Sequence, residues 1–252
     1  ITIQYDEGNP DSLKLVDNND TCMYILTHQC VIPNKYGFLP TNSVFIHTEY
    51  INMEPINPQA NCVQIQDAQR LGYKIIDFSP INAKHYNHLY LPYQIREPEL
   101  SVLKHYLKQE KEYDAVMCGG LTARRKSILI DGYKKDLELV DIQGYFDERD
   151  SGMAQGKVIL NIHQKDNFPH FEHFRCDRWV YAGHVIVSED SFKQEELDVH
   201  KYIHFVPYDQ LISKCMELSS QKHEYVAPPI PEDRRMTDIE IHSLNFFCSL
   251  FI

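Results

Sequence analysis

Short apolar runs alternate with helix-like segments along most of the chain, and no other feature of the sequence constrains the fold as strongly. In the second half, the strand-like runs cover residues 114–117, 137–142, 158–162 and 203–206. Parallel neighbours in a sheet need a long crossover connection, so this alternation is typical of a parallel sheet covered by helices. The sequence therefore predicts the α/β class.

The segment 92–98, PYQIREP, contains two prolines and lacks periodicity, which is typical of a linker. A chain of 252 residues is long enough for two compact halves, one on each side of such a linker. We predict a first α/β domain at 1–95 and a second at 99–227. Residues 228–252 are interpreted as a tail, with a last helix at about 237–247.

Charge and cysteine spacing limit the partners and the compartment. The net charge of -11 argues against binding of nucleic acid or of an anionic membrane through bulk charge. The seven cysteines are widely spaced without a CxxC pair, which favours reduced thiols in the cytoplasm, or in the host cytoplasm for a viral protein. No basic leader opens the sequence and no apolar run approaches about 18 residues, so we expect neither a signal peptide nor a membrane span. The oligomeric state stays open.

The stretch 168–191, FPHFEHFRCDRWVYAGHVIVSEDS, predicts a helix at about 170–181 and a strand at 185–187. Gly183 lies where the helix needs a left-handed stop. In an open α/β sheet, ligands bind outside the carboxyl ends of the strands, so Ser188 and Glu189 follow the strand at a ligand-binding position. The alternative is one more αβ unit with a charged surface helix.

A second candidate follows the strand at 114–117 and reads CGGLTARRK. Gly119 and Gly120 allow close approach of the backbone, and the helix that starts after Thr122 offers free N–H groups to an anion. Arg124 and Arg125 add positive charge suited to phosphate, as solvated side chains of the first helical turn. The run matches neither a Walker loop nor GxGxxG, and a tight turn with a solvated helix start is the alternative.

Three motifs occur in order over residues 112–220: YDAVMCGGLTARRKSIL, GKVILNIHQ and FEHFRCDRWVYAGHVIVSED. This set resembles the nucleotide-sugar-binding half of GT-B glycosyltransferases of a bacterial and viral type. FIHTEYI and IIDFSPINAKHYNHLYLPY resemble the acceptor-side half of the same type. The resemblance implies two Rossmann-like halves facing across a cleft, with the last helix crossing back onto the first half. It also implies transfer of a sugar from a nucleotide sugar to a hydroxyl of a glycan or other acceptor, with no metal or other cofactor.

The resemblance also implies roles for individual residues. The diphosphate contacts would be Gly119, Gly120, Arg124 and Arg125. The groups near the donor sugar and ribose would be His163, Glu172 and Glu189, with Asp177 as a substitute and with Arg175 and Ser188 completing the donor-binding set. Many retaining members carry a second glutamate where this chain has Val180, so the stereochemical outcome stays open.

An inverting mechanism needs a base for the acceptor hydroxyl. His28, His47 and Glu49 lie at or just after predicted strand ends in the first half, and His47 and Glu49 alternate onto one side of an extended chain. The predicted catalytic set is therefore His47, Glu49, His163 and Glu172, although each of the first two could equally be a structural polar residue.

Two other functional classes stay open. One is a catalytically idle nucleotide- or carbohydrate-binding module on the same fold, because fold does not determine activity. The other is a Rossmann-like epimerase or dehydrogenase, which the missing GxGxxG fingerprint disfavours. Donor hydrolysis or sugar transfer would separate an enzyme from a binding module.

Overall fold

The computed structural model describes residues 24–27, 43–47, 74–166, 169–221 and 227–236, with the backbone alone at 24–27, 43–47 and 235–236. Residue contacts divide the chain into two compact units. The first unit contains Ile1–Pro92 and Ser243–Ile252, and the second contains Tyr93–His242. Each unit is described separately below.

The first unit contains a parallel four-stranded sheet in the order β1-β2-β3-β4. Its strands are β1 Tyr24–Thr27, β2 Ser43–His47, β3 Lys74–Asp77 and β4 Leu89–Tyr90. Helix α1, Pro80–Tyr86, follows β3. Ser79 caps this helix by accepting a hydrogen bond from the backbone N–H of Asn82, and a proline suits the first helical position because its missing N–H has no partner there.

The second unit contains seven strands and five helices among its described residues. The strands are β5 Ile95–Arg96, β6 Tyr113–Cys118, β7 Leu139–Ile142, β8 Gly156–Asn161, β9 Ile186–Glu189, β10 His204–Val206 and β11 Arg235–Met236. The helices are α2 Glu97–Tyr106, α3 Ala123–Lys134, α4 Phe146–Ala154, α5 His173–Ala182 and α6 Leu211–Ser219. The predicted linker at 92–98 is wrong in its second part, where β5 pairs with β11 and α2 begins.

Five of these strands form one parallel sheet in the order β10-β9-β8-β6-β7. After β6 the chain adds β7 on one side, and it then returns to add β8, β9 and β10 on the other side. The strand order therefore reverses between β6 and β8. In open α/β sheets this reversal leaves a crevice at the carboxyl ends of the two strands, where ligands bind.

Helices cover both faces of this sheet. On one face α2, α4 and α5 pack over a core that includes Val116, Ile159 and Ile186, and on the other face α3 and α6 pack over Met117 and Leu160. Both faces of β6 and β8 are buried, which explains why these strands read as continuous apolar runs. The predicted α/β class with parallel sheets is confirmed.

The described part of the predicted stretch, residues 169–191, folds nearly as the sequence predicts. Its helix, α5, ends at Gly183, whose φ of 93° lies in the left-handed region. A Cβ atom at Gly183 would lie 3.1 Å from the backbone nitrogen of Ala227, so space as well as conformation requires glycine there. The predicted strand end is wrong, because β9 continues through Ser188 and Glu189.

The predicted last helix at 237–247 lies outside the described residues. Among the residues that the structure does describe, no helix is both long and apolar enough to cross a membrane.

Candidate functional site at the carboxyl edge of the second sheet

The carboxyl ends of β6, β8 and β9 bring three chemically distinct segments to one edge of the sheet. Gly119 follows β6, and Asn161 is the last residue of β8. Ser188 is the Cα partner of Asn161 in β9, and Glu189 ends that strand. These positions flank the point where the strand order reverses.

Gly119 is surrounded by cationic side chains. Its φ of 118° favours glycine, and a Cβ atom there would lie 2.9 Å from Nη2 of Arg175 and 3.0 Å from Nη1 of Arg125. A Cβ atom at the neighbouring Gly120 would meet nothing within 4 Å. Two guanidinium groups therefore fill the space beside Gly119, whereas the space beside Gly120 is unfilled.

Arg125 enters this site from α3, where Thr122 caps the helix by accepting from the backbone N–H of Arg125. The expectation that Arg125 is solvated is wrong, because only 2% of the residue is exposed. Its Nε and Nη2 donate to the carbonyl of Ile162 at 3.1 and 2.8 Å, and its Nη1 donates to the carbonyl of Gly120 at 2.9 Å. Burial and the neighbouring charge of Arg175 lower the pKa of Arg125.

Arg175 enters from α5, on the opposite face of the sheet. Its Nη1 donates to Oδ1 of Asn161 at 3.0 Å, and its Nη2 lies 3.9 Å from Oε2 of Glu172. Asn161 also donates from Nδ2 to Oγ of Ser188 at 3.1 Å, and the Ser188 hydroxyl donates to the carbonyl of Glu189 at 3.0 Å. A continuous chain of hydrogen bonds thus runs from β9 across β8 to Arg175.

Arg124 and Glu189 form an ion pair beside this series of hydrogen bonds. Nη1 of Arg124 donates to Oε2 of Glu189 at 2.6 Å, and Nη2 donates to Oε1. Nε of Arg124 donates to Asp166, and its guanidinium carbon lies 3.9 Å from the ring centroid of Tyr208. Arg124 is thus held within the protein by a carboxylate pair and an aromatic face.

His163 follows β8 and is fixed on several sides. Its backbone N–H donates to Oε2 of Glu189 at 3.1 Å. Its Nε2 lies 3.0 Å from the carbonyl oxygen of Asp190, which can only accept, so Nε2 carries the ring proton. Burial lowers the pKa of His163, which favours the neutral ring.

One residue of the predicted site, Asp177, does not join this group. Asp177 is fully buried and binds elsewhere, with Nδ1 of His173 at 2.9 Å and Nη1 of Arg234 at 2.6 Å from its Oδ2. Its predicted role as a substitute ribose contact is therefore wrong, because both partners keep the carboxylate inside the unit. His47 ends β2 in the other unit, where only its backbone is described, and Glu49 lies outside the described residues, as does the further base candidate at position 28.

Several positive groups meet at this edge of the sheet. Arg125 and Arg175 come from helices on opposite faces of the sheet and converge on Gly119. The N-terminus of α3 adds the positive end of its dipole to the same loop. Within the described ranges, no group of three or more His, Cys, Asp or Glu residues is placed to hold a metal ion.

Comparisons with known proteins give relatives of viral origin. No family model matches the chain, and no solved structure matches it significantly. Uncharacterized protein L140 of Acanthamoeba polyphaga mimivirus is 38% identical over 210 residues, which cover 74% of this chain and 69% of L140. The chain belongs to the L140 family.

Two other mimivirus proteins are similar to this member of the L140 family over part of their length. Uncharacterized protein L138 is 37% identical over 171 residues, and uncharacterized protein L137 is 43% identical over 157 residues. These matches cover 64% and 58% of the chain. The chain spans only 19% of L138 and 21% of L137, so both relatives are much longer.

Three residues of the site in this L140-family chain are absent from the set that the sequence predicts. In the sequence, Asn161 is a polar residue at the end of an apolar run, and Tyr208 lies in the predicted helix start after Pro207. Asp166 lies in a polar loop and contacts Arg124 across 42 positions of the sequence. Only the fold brings these side chains to Arg175 and Arg124, although Asn161 at the carboxyl end of a buried strand was a recognisable position.

Proposed function

We propose that the chain is a metal-independent glycosyltransferase that moves a sugar from a nucleotide-sugar donor to an acceptor hydroxyl. One observation carries this proposal. Two guanidinium groups, from Arg125 on α3 and Arg175 on α5, meet at Gly119 where the strand order reverses. Neighbouring like charges repel each other, as the effect of Arg175 on the pKa of Arg125 shows, and an anion bound beside them reduces that cost.

The diphosphate of a nucleotide sugar fits this environment. When the bond between the sugar and the phosphate breaks, the electron pair stays with the phosphate oxygen, and negative charge grows on the nucleoside diphosphate. Donors held in advance near that oxygen lower the barrier, because they need no reorganisation as the charge develops. Arg175, the charge of Arg125 and the N–H groups at the start of α3 would supply this stabilisation.

The open space at Gly120 is where the phosphate would approach the backbone. A side chain is absent there and the residue is exposed, so an oxygen could come close to the loop N–H groups. Glu172, next to Arg175, would lie beside the transferred sugar. Arg124 and Glu189 would support the site from the side, since each already holds the other.

The proposal includes a GT-B arrangement, with two Rossmann-like halves and the acceptor bound by the first half. Its support is the parallel sheet in each unit together with the ordered motifs of the second unit. The widely spaced cysteines favour a reducing compartment such as the cytoplasm. The same anion site on a catalytically idle module would bind a nucleotide without transferring a sugar.

A panel of nucleotide sugars tests the activity. Release of nucleoside diphosphate is measured with and without simple sugar acceptors, for the wild-type chain, Arg175→Ala and Arg96→Ala. Arg96 is the matched control, because 57% of its side chain is exposed. The proposal expects turnover that Arg175→Ala reduces at least about ten-fold and Arg96→Ala leaves unchanged. Nucleotide binding without any turnover across the panel would support the binding module instead.

A further inference from the structure

We infer that Asn161 is a positioning residue that aims Arg175 at the anion. This inference rests on the proposed function, since it takes the crevice beside Gly119 as the phosphate site. Asn161 contacts Arg175 and Ser188, and both contacts lie on the α5 face of the sheet. Asn161 therefore acts on a ligand only through Arg175.

The hydrogen-bond chain admits one orientation of the Asn161 amide. A guanidinium group can only donate, so Asn161 must present Oδ1 to Nη1 of Arg175, 3.0 Å away. The hydroxyl proton of Ser188 is used on the carbonyl of Glu189, so its oxygen is left to accept from Nδ2 of Asn161. In this arrangement each of these hydrogen bonds joins a donor to an acceptor. If the amide were flipped, Nδ2 of Asn161 would face Nη1 of Arg175, and both groups can only donate.

A buried amide at this position calls for an explanation. Asn161 and Ser188 are completely buried, and each follows apolar residues of its strand. Burying a polar side chain costs free energy unless it is hydrogen-bonded, and an apolar side chain would avoid that cost. An apolar residue could make neither of the two hydrogen bonds of Asn161, and only the one with Arg175 leads to Gly119.

Of the three arginines at the site, Arg175 has the most donors left for a ligand. Arg125 already gives three N–H groups to carbonyls, and Arg124 is bound by Glu189 and Asp166. Within the part of the chain that the structure describes, Arg175 donates a single hydrogen bond, to Asn161. Fixing a flexible side chain before binding removes part of the entropy cost of binding, so one hydrogen bond to an uncharged amide can raise anion affinity.

A double-mutant cycle on the full chain tests this inference. Binding of inorganic pyrophosphate and of UDP is measured by calorimetry for the wild type, Asn161→Ala, Arg175→Ala and the double variant. We expect Asn161→Ala alone to weaken binding roughly three- to ten-fold, the effect of one lost hydrogen bond. In the Arg175→Ala background the same change should alter affinity by less than about two-fold, because Asn161 no longer has a side chain to aim.

Ser188→Ala is the second variant, and it serves if Asn161→Ala does not fold. It removes the acceptor that orients the amide, so it should weaken binding in the wild type and change nothing in the Arg175→Ala background. Equal losses in both backgrounds would overturn the inference, since a merely structural role does not depend on Arg175. Absence of any pyrophosphate or UDP binding would overturn it as well.

The nucleotide-sugar panel separates this inference from the proposed function. If the wild type binds pyrophosphate with the expected coupling but turns over no nucleotide sugar, the proposed function fails and the role of Asn161 stands. If nucleotide sugars are turned over and Asn161→Ala and Ser188→Ala both match the wild type in affinity and rate, the role of Asn161 fails and the proposed function stands.

Discussion

Arg124 and Glu189 bind each other through two parallel hydrogen bonds, one of which joins Nη1 to Oε2 at 2.6 Å. The sequence suggested both residues as separate contacts to a bound nucleotide, and the structure shows them joined across 65 positions. Glu189 also accepts from the backbone N–H of His163. The pair therefore ties the start of α3 to the ends of β8 and β9.

The first prediction concerns the stability of this edge. Glu189→Gln removes the charge that holds Arg124, so we expect the free energy of unfolding to fall by about 1.5–3 kcal/mol, the range of a charged hydrogen bond. Urea denaturation measures the change. Asp190→Asn is the matched control, because Asp190 is the exposed neighbour. Equal midpoints for both variants would contradict a supporting role for Glu189.

The second prediction compares the two glycines of the loop. Gly119→Ala places a methyl group within 3.0 Å of both guanidinium groups and strains a φ of 118°, so we expect a stability loss of about 1–3 kcal/mol. Gly120→Ala has open space around it and should leave the melting temperature nearly unchanged, yet it should weaken UDP binding. Unchanged affinity in Gly120→Ala would place the phosphate elsewhere.

The third prediction concerns the buried group around Asp177. Nη1 of Arg234 binds Asp177, and its Nε binds Asp198 at 2.7 Å. Arg234→Ala removes one of the two partners of the buried Asp177 carboxylate, so we expect the free energy of unfolding to fall by about 3–5 kcal/mol. The exposed Arg96→Ala should change stability by less than about 0.5 kcal/mol. Thermal and urea unfolding measure the stability of both variants. Similar losses of stability in the two would argue against a stabilising role for the contact between Arg234 and Asp177.

The fourth prediction concerns acid sensitivity. Burial lowers the pKa of His170 to about 4, and burial with the charge of Lys111 lowers the pKa of His184 to about 3. Both rings are neutral when folded and take up a proton near pH 6.5 when unfolded. Below about pH 6.5 the unfolded chain therefore binds more protons, and stability should fall by up to roughly 1.4 kcal/mol per pH unit for each ring.

His184→Gln isolates one of these two rings. The free energy of unfolding is measured by urea denaturation between pH 7 and pH 4.5. Its slope against pH reports how many more protons the unfolded state binds, and this number should be smaller by about one in the variant. The same slope in His184→Gln and in the wild type would show that His184 does not contribute to acid sensitivity.

Much of the fold follows from local patterns in the sequence. The apolar runs of β6 and β8, the Thr122 cap and the left-handed stop at Gly183 all depend on neighbouring residues, and each is found where the sequence places it. The start of α2 was missed because Pro98 was interpreted as part of a linker, whereas a proline in the first turn of a helix costs little.

The site itself was less predictable, because its contacts join residues far apart in the sequence. The motifs singled out Arg124 and Glu189, but no local pattern indicates that one neutralises the other. Asn161 and Arg175 meet only because β8 and α5 pack together at the sheet edge. The burial of Arg125 likewise depends on the carbonyl of Ile162, which the strand order brings to α3.

Calorimetric titration of UDP, GDP and ADP into the wild type, Arg175→Ala and Arg96→Ala tests the central claim most directly. We predict that at least one nucleoside diphosphate binds the wild type, that Arg175→Ala weakens its affinity by about ten- to a hundred-fold, and that Arg96→Ala leaves the affinity unchanged. If none of the three binds the wild type, or if Arg175→Ala binds as tightly as the wild type, the crevice at Gly119 is not a nucleotide phosphate site.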